Sequence, residues 1–249
     1  METIEKAQKS DNMDKSAKLK KVALYGNIVL AILQIITAII FMQVRGALWV
    51  KYVTKSTASG LFVITGLFNL ILLYKTQEKN NLWKGVIMLI GLIFAMSGDI
   101  VLIEHFVIGA GLFAIGHIFF LIYFCLMYKF NLIDLFVFLG LIAIAMLIIF
   151  LYPHFEFDGM LPVIIVYAIV ISSMLAKAIG NYFSCKSTEN LITMLGAFLF
   201  FFSDMMLLFY CFAGNNIVFD YFCIYTYYPA EFMLGLTILL QHKNYAQRK

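Results

Sequence analysis

The stretch GLIFAMSGDIVLI, residues 91–103, indicates the fold class, because one carboxyl group, Asp99, interrupts an otherwise hydrophobic run. Two further runs share this feature. Residues 196–210, GAFLFFFSDMMLLFY, contain Asp204, and residues 225–240, YTYYPAEFMLGLTILL, contain Glu231. A carboxyl group at membrane depth costs roughly 2.5–3.5 kcal/mol on insertion scales, so such residues normally face a protein interior or a wet cavity. The three acidic residues therefore predict a polar site among transmembrane helices.

The composition excludes a water-soluble fold. Of the 249 residues, 63% are hydrophobic and 13% are charged, and the mean hydropathy is +0.93. Soluble domains carry roughly 25% charged residues. Charge does not favour a nucleic-acid partner, because the formal net charge of +4 comes without a basic stripe. The four cysteines have no metal-site spacing, and most of them are expected to be small buried hydrophobic residues. One alternative remains: Cys211 and Cys223 flank the same loop and are candidates for a disulfide.

Long apolar stretches separated by short polar breaks predict an all-α bundle of eight transmembrane helices. The predicted spans are 22–43, 49–74, 84–103, 106–128, 132–151, 160–181, 191–213 and 217–241. Short connections make successive helices antiparallel neighbours. Asp134 fits the first turn of the helix that begins after Asn131. We therefore expect a charged tail (1–20), one membrane domain (21–242) and a short basic tail (243–249).

The distribution of lysine and arginine predicts the orientation of this bundle. Fifteen basic residues fall in the two tails and in the even-numbered loops, where Lys84 and Lys177 are included. Only Arg45, Lys51 and Lys55 fall on the opposite side. The positive-inside rule then places both termini in the cytosol.

With that orientation, five helices deliver polar side chains to the outer half of the membrane. At ~1.5 Å rise per residue, these groups lie within roughly 6–21 Å of the outer boundary. They are Lys55, Asp99, His117, Ser203, Asp204, Tyr227, Tyr228 and Glu231. The sequence also contains a weak internal repeat. The spacing G-x7-D-x2-L begins at both Gly91 and Gly196 and contains Asp99 in the first copy and Asp204 in the second. This spacing is compatible with two similar four-helix halves.

Asp99 and Asp204 are the strongest catalytic candidates. Two carboxyl groups close together in a medium of low dielectric share a proton, which supplies an acid and a base in one pocket. That arrangement is suited to cleaving acetal-like bonds. The alternative is a purely structural pair with Lys55 that fixes helix packing.

Several of the other polar residues have alternative structural and functional interpretations. Lys55 either pairs with an aspartate, holds an anionic head group, or extends its amine to the outer surface, as Lys51 is expected to do. His117 has either a chemical role or a hydrogen-bonded place in the core. Tyr227 and Tyr228 are either interfacial aromatics or deeper site residues.

At these residues the chain resembles the YhhN family, from about residue 48 onward. Lys55 in YVTKSTASGLF is similar to the lysine helix of the family, with Ala58 where a proline is common. GLIFAMSGDIVL resembles its GD motif with Ala95 in place of a serine, and FVIGAGLFAIGH ends in the matching His117. The remaining matches are Tyr167, Ile171 and Met174, then GAFLFFFSD with Ser203 and Asp204, and YYPAEFML with Glu231 in place of the common glutamine.

The resemblance implies an activity, because animal members of the family are lysoplasmalogenases. We therefore expect hydrolysis of the vinyl ether bond of a lysoplasmalogen, giving a fatty aldehyde and glycerophosphoethanolamine or glycerophosphocholine. Asp99 and Asp204 would be the catalytic carboxyls. Lys55, His117, Ser203, Tyr227, Tyr228 and Glu231 would bind substrate or position water. No metal or organic cofactor is expected.

A different class of function stays open at this point, namely a lipid transporter or a proton-coupled transporter that uses the buried carboxylates as a relay. Transporters tend to have discontinuous helices in matching halves, and only Pro229 is well placed to break one. The sequence does not specify the head group, the chain length, the membrane or the oligomeric state.

Overall fold

The computed structural model describes residues 2–44, 48–76 and 82–246, with side chains from residue 16 to residue 240. Within these ranges the chain forms eight helices, and each contains a segment long and apolar enough to cross a membrane. They are α1 (Glu2–Gln43), α2 (Leu48–Lys75), α3 (Leu82–Val101), α4 (Phe106–Met127), α5 (Leu132–Leu151), α6 (Leu161–Ser184), α7 (Thr188–Phe212) and α8 (Ile217–Ala246). The predicted all-α class and the eight spans are confirmed, and the chain is an integral multi-pass membrane protein.

The ends of the helices follow from local sequence. Asn131 caps α5 in a reciprocal capping box with Asp134, as the sequence predicts. Asp158 and Gly159, in the segment between α5 and α6, have positive φ. Gly214 and Asn215, in the turn after α7, also have positive φ. Such backbone is easiest for glycine and tolerable for asparagine and aspartate, so the chain can turn just before α6 and just after α7.

Several predicted helix boundaries differ from those of the structure, including the end of α8, which lies at Ala246 rather than at residue 241. Helix α6 continues to Ser184 and α7 begins at Thr188, because the Ser187 side chain caps α7 by accepting from the Asn190 amide. The connecting loop is thus much shorter than the predicted segment from 181 to 190. Helix α1 starts at Glu2 rather than at residue 22, since residues 2–20 contain neither glycine nor proline to interrupt it.

Small residues let the inner helices approach closely. Gly91 of α3 lies against Gly116 of α4, where an added Cβ would meet the Phe120 ring. Gly196 of α7 lies against Ala230 of α8. In a membrane this close packing, together with hydrogen bonds, replaces hydrophobic burial as the main attraction between helices.

The helix contacts repeat after four helices. Helix α3 packs extensively against α4, and α7 packs in the same way against α8; across the bundle, α2 touches α8 while α6 touches α4. Helices α1 and α5 are the least buried of their halves. The pattern is the one expected from two similar halves, each contributing one aspartate from its third helix.

A polar cluster at the end of the bundle opposite the two aspartates holds the C-terminus of α4. The Lys177 amine donates to Lys129 O at 2.9 Å and lies 2.8 Å from Asp134 Oδ2, with both side chains 2% exposed. Lys84 and Asn181 donate to Leu126 O and Phe124 O. These side chains satisfy carbonyls that a helix end leaves without partners.

This cluster corrects the treatment of Lys84 and Lys177 as loop charges, because both lie inside helices and are buried. The orientation also depends on basic residues whose side chains the structure does not describe. These are the lysines before residue 16, Arg45, Lys79 and the basic residues of the C-terminal tail. The placement of both termini in the cytosol, and the three-part division of the chain, stay predictions.

Candidate functional site

A cavity of about 250 Å³ lies between α2, α3, α7 and α8. Its wall is mostly apolar, but it contains both of the aspartates singled out from the sequence. The charged and polar side chains that line it include Lys51, Lys55, Asp99, Ser203, Asp204, Asp220 and Tyr227. Separate hydrophobic segments thus bring their few titratable side chains to one hollow inside the bundle.

Asp99 is held by α2. The Lys55 amine lies 3.3 Å from Asp99 Oδ1, and the Ser59 hydroxyl donates to Oδ2 at 2.5 Å. Lys55 and Ser59 are four residues apart, so they share one face of the helix. This geometry contradicts the alternative in which Lys55 extends to the outer surface, because the amine finds its counter-charge inside the bundle. Lys51, one turn earlier, is exposed and lines the same cavity.

Asp204 is held by two other helices. The Tyr167 hydroxyl of α6 donates to Asp204 Oδ2 at 2.6 Å, and His117 Nε2 of α4 lies 3.1 Å from the same oxygen and 2.9 Å from the Tyr167 oxygen. Because the single Tyr167 proton goes to Asp204, the hydrogen-bond network assigns the histidine proton to Nε2. His117 is thus buried and hydrogen-bonded to the Asp204–Tyr167 pair.

The two aspartates differ in their surroundings. Asp99 has a cationic partner and its side chain is 4% exposed, whereas Asp204 has a tyrosine and a histidine and its side chain is 10% exposed. Both partners of Asp204 approach the same oxygen, Oδ2, and the residue lines the cavity. One carboxyl is thus tied to a positive charge and the other to a donor network.

The three predicted residues of α8 occupy different places. Tyr227 lines the cavity, whereas Tyr228 lines a separate groove against α1. Glu231 lies behind Tyr227, fully buried and within electrostatic range of both aspartates. Both tyrosines are buried, so the interfacial alternative is wrong. The Tyr227 hydroxyl lies close to the carboxyl groups of both Asp99 and Glu231.

Ser203 makes a contact between helices, and the two cysteines near it are not bonded to each other. The Ser203 hydroxyl donates to Cys223 O at 3.0 Å and thereby joins α7 to α8 beside Asp204. Cys211 and Cys223 both line the cavity, but they are free thiols, which corrects the alternative of a disulfide between them. Among the described residues, no group of three or more His, Cys, Asp or Glu side chains is placed to hold a metal ion.

Sequence reasoning did not assign site roles to Ser59 and Tyr167, which bond directly to the two aspartates. A signal for Ser59 exists, because it follows Lys55 by one helical turn. Tyr167 lies in the middle of a span, where a hydroxyl needs a partner. Its pairing across helices with Asp204 is not readable from spacing within one helix.

Comparison with known proteins identifies the family. A model of the YhhN family matches residues 50–238, which include every residue of the two aspartate networks. Neither a curated protein nor a solved structure matches the chain. Because the match extends over much more than half of the sequence, the chain belongs to the YhhN family.

Proposed function

We propose that this protein hydrolyses the vinyl ether bond of lysoplasmalogens. One observation carries the proposal: two aspartates with different partners line a single cavity inside the membrane-spanning bundle. Family membership supplies the substrate class, because the characterised members of the YhhN family are lysoplasmalogenases.

The chemistry needs one proton donor and one negative charge. A donor protonates the alkene carbon remote from oxygen, which leaves an oxocarbenium ion. A water molecule then adds to this cation while a carboxylate takes its proton, and the hemiacetal breaks into an aldehyde and an alcohol. The C–O bond on the alkenyl side is broken, and the proton passes to the glycerol oxygen.

The surroundings of the aspartates support a division of roles. Asp99 lies beside the Lys55 cation, whereas Asp204 lies beside the Tyr167 hydroxyl and His117. One of the two carboxyls would donate the proton, and the other, ionised, would stabilise the oxocarbenium ion and accept the proton of water. Tyr167 and His117 would fix the orientation of Asp204.

Purified protein in detergent tests this function. Given a lysoplasmalogen, it is expected to release fatty aldehyde, whereas the saturated ether analogue is expected to be inert because it has no alkene to protonate. Absence of aldehyde would contradict the proposal. The transporter alternative is not favoured, because α8 continues as one helix through Pro229; turnover without a membrane gradient would show that transport is not required.

Substitutions of two lysines on α2 should have different effects on kcat and KM. Lys55→Met is expected to lower kcat by about 10-fold with little change in KM, since Asp99 loses its partner. Lys51→Met is the matched comparison, because Lys51 lies at the exposed side of the cavity, where a phosphate would enter; it should raise KM and leave kcat nearly unchanged. A Lys55→Met enzyme with a changed KM alone would instead assign Lys55 to the head group.

Glu231 is expected to act without ionising. Its oxygens are buried without a counter-charge, and an unpaired charge there would be strongly unfavourable. Glu231→Gln should therefore remain folded and retain turnover within about threefold, while Glu231→Lys should fail to yield a monodisperse protein. Size-exclusion profiles and aldehyde release measure both. A loss of about 100-fold or more in the Gln variant would show that the carboxyl group of Glu231 takes part in proton transfer.

A further inference from the structure

A second, smaller groove opens beside the cavity. It lies between α4, α6 and α7 and encloses about 60 Å³. Its wall is apolar except for Tyr167 and Asp204. Ala110 and Val163 are half-buried at this groove, so it is not sealed from the surrounding lipid.

The groove and the cavity meet at Asp204. They share one carboxyl group and four apolar side chains, namely Leu102, Phe106, Phe113, Asp204 and Leu207. Asp204 thus stands at a boundary between an apolar hollow and a polar one. A lysoplasmalogen has the same boundary at its vinyl ether, where the hydrocarbon chain joins the polar glycerol.

We propose, on the basis of the function above, that the groove between α4, α6 and α7 binds the hydrocarbon chain of the substrate. The chain lies along Ala110 and Val163, the glycerophosphate lies in the cavity toward Lys51, and the alkene rests against Asp204. A water molecule takes roughly 30 Å³ of liquid volume. The groove therefore encloses only the first few carbons, and the remainder of the chain extends between the helices into the bilayer.

A larger apolar groove between α1 and α8 is the competing site. It encloses about 210 Å³ and is lined by residues that include Ala38, Tyr228 and Phe232. It meets the cavity only at Ile224 and contains no acidic side chain. A chain bound there would leave the reactive bond away from both aspartates, so size alone does not make it the substrate site.

Photochemical crosslinking distinguishes the two grooves. The probe is a saturated alkyl-ether lysophosphatidylethanolamine with a diazirine a few carbons from the ether oxygen, applied to the full-length protein in detergent. Adducts are expected on residues 106–113, 163–167 and 204–212, and unlabelled lysoplasmalogen should displace them. Adducts confined to α1 and α8, or adducts that lysoplasmalogen does not displace, would overturn the proposal.

A pair of neighbouring substitutions provides the kinetic test. Ala110→Phe fills the groove, whereas Gly111→Phe places the same ring on the adjacent residue, where an added Cβ meets nothing within 4 Å. For a long alkenyl chain, Ala110→Phe should lower kcat/KM by at least about 10-fold and Gly111→Phe by less than about twofold. With an ethenyl substrate, which has no carbon beyond the alkene, both variants should resemble the unmodified protein.

The outcomes of the two proposals are separable. If the unmodified protein releases no aldehyde from either substrate, the proposed activity is wrong, and the crosslinks still report where the chain binds. If it releases aldehyde and Ala110→Phe treats long and short chains alike, the activity stands and the groove is not the chain site. Because crosslinking uses the unmodified protein, misfolding of a variant does not affect that part of the test.

Discussion

Asp99→Asn and Asp204→Asn are each expected to lower aldehyde release by at least about 100-fold, because each removes one half of an acid–base pair. Asparagine preserves the shape of the side chain and can still accept from Ser59 or from Tyr167. Both variants should therefore remain folded and monodisperse in detergent. The measurement is initial-rate aldehyde release at saturating lysoplasmalogen.

The matched control is Asp158→Asn in the loop between α5 and α6. Asp158 is at positive φ, which asparagine tolerates, and it lies outside the cavity. This variant should retain full turnover. If both cavity variants also retained near-normal turnover, the carboxyl mechanism would be wrong. If only Asp204→Asn were inactive, Asp99 would be a structural partner of Lys55.

Lys177→Met should give the largest loss of stability. Lys177 and Asp134 are both 2% exposed, so removing the amine leaves a buried carboxylate without its partner. Breaking such a pair typically costs about 3–5 kcal/mol. Helix α4 also loses a donor to Lys129 O at its C-terminus. We expect a large drop in the apparent unfolding temperature in detergent, with little enzyme recovered after mild heating.

Two further variants test the cause of that loss. Lys186→Met removes an exposed lysine from the loop that follows α6 and should be neutral. Adding Asp134→Asn to Lys177→Met removes the stranded charge and should recover part of the lost stability. If the single and double variants were equally unstable, burial of an unpaired charge would not be the reason.

The helices could be predicted well from the sequence because each span is a property of a contiguous segment. Apolar length predicts α5 to the residue, and the Asn131 cap is visible as a local pattern. The errors fall at the ends of helices, where local caps and contacts between helices decide the boundary. Helix α6 continues past residue 181 because the Asn181 side chain bonds to Phe124 O and thus belongs to the interior of the bundle.

The site could be predicted only in outline. Charge at membrane depth identifies Lys55, Asp99 and Asp204, and the structure brings all three to one cavity. Which hydroxyl reaches which aspartate depends on the rotation of α2 and α6 about their axes. That rotation is set by packing between helices, so the positions of Ser59 and Tyr167 in the sequence do not show which aspartate each hydroxyl reaches. For the same reason, the sequence does not distinguish Tyr228 from Tyr227 as a site residue, although the two line different hollows.

Hydrolysis in heavy water tests the central claim most directly. Purified protein in D₂O is given a lysoplasmalogen, and the aldehyde is reduced at once to the alcohol for mass spectrometry. Protonation of the alkene carbon predicts a single deuterium on the carbon next to the former carbonyl. Fatty aldehyde without that deuterium, or no aldehyde at all, would contradict vinyl ether cleavage by the two aspartates.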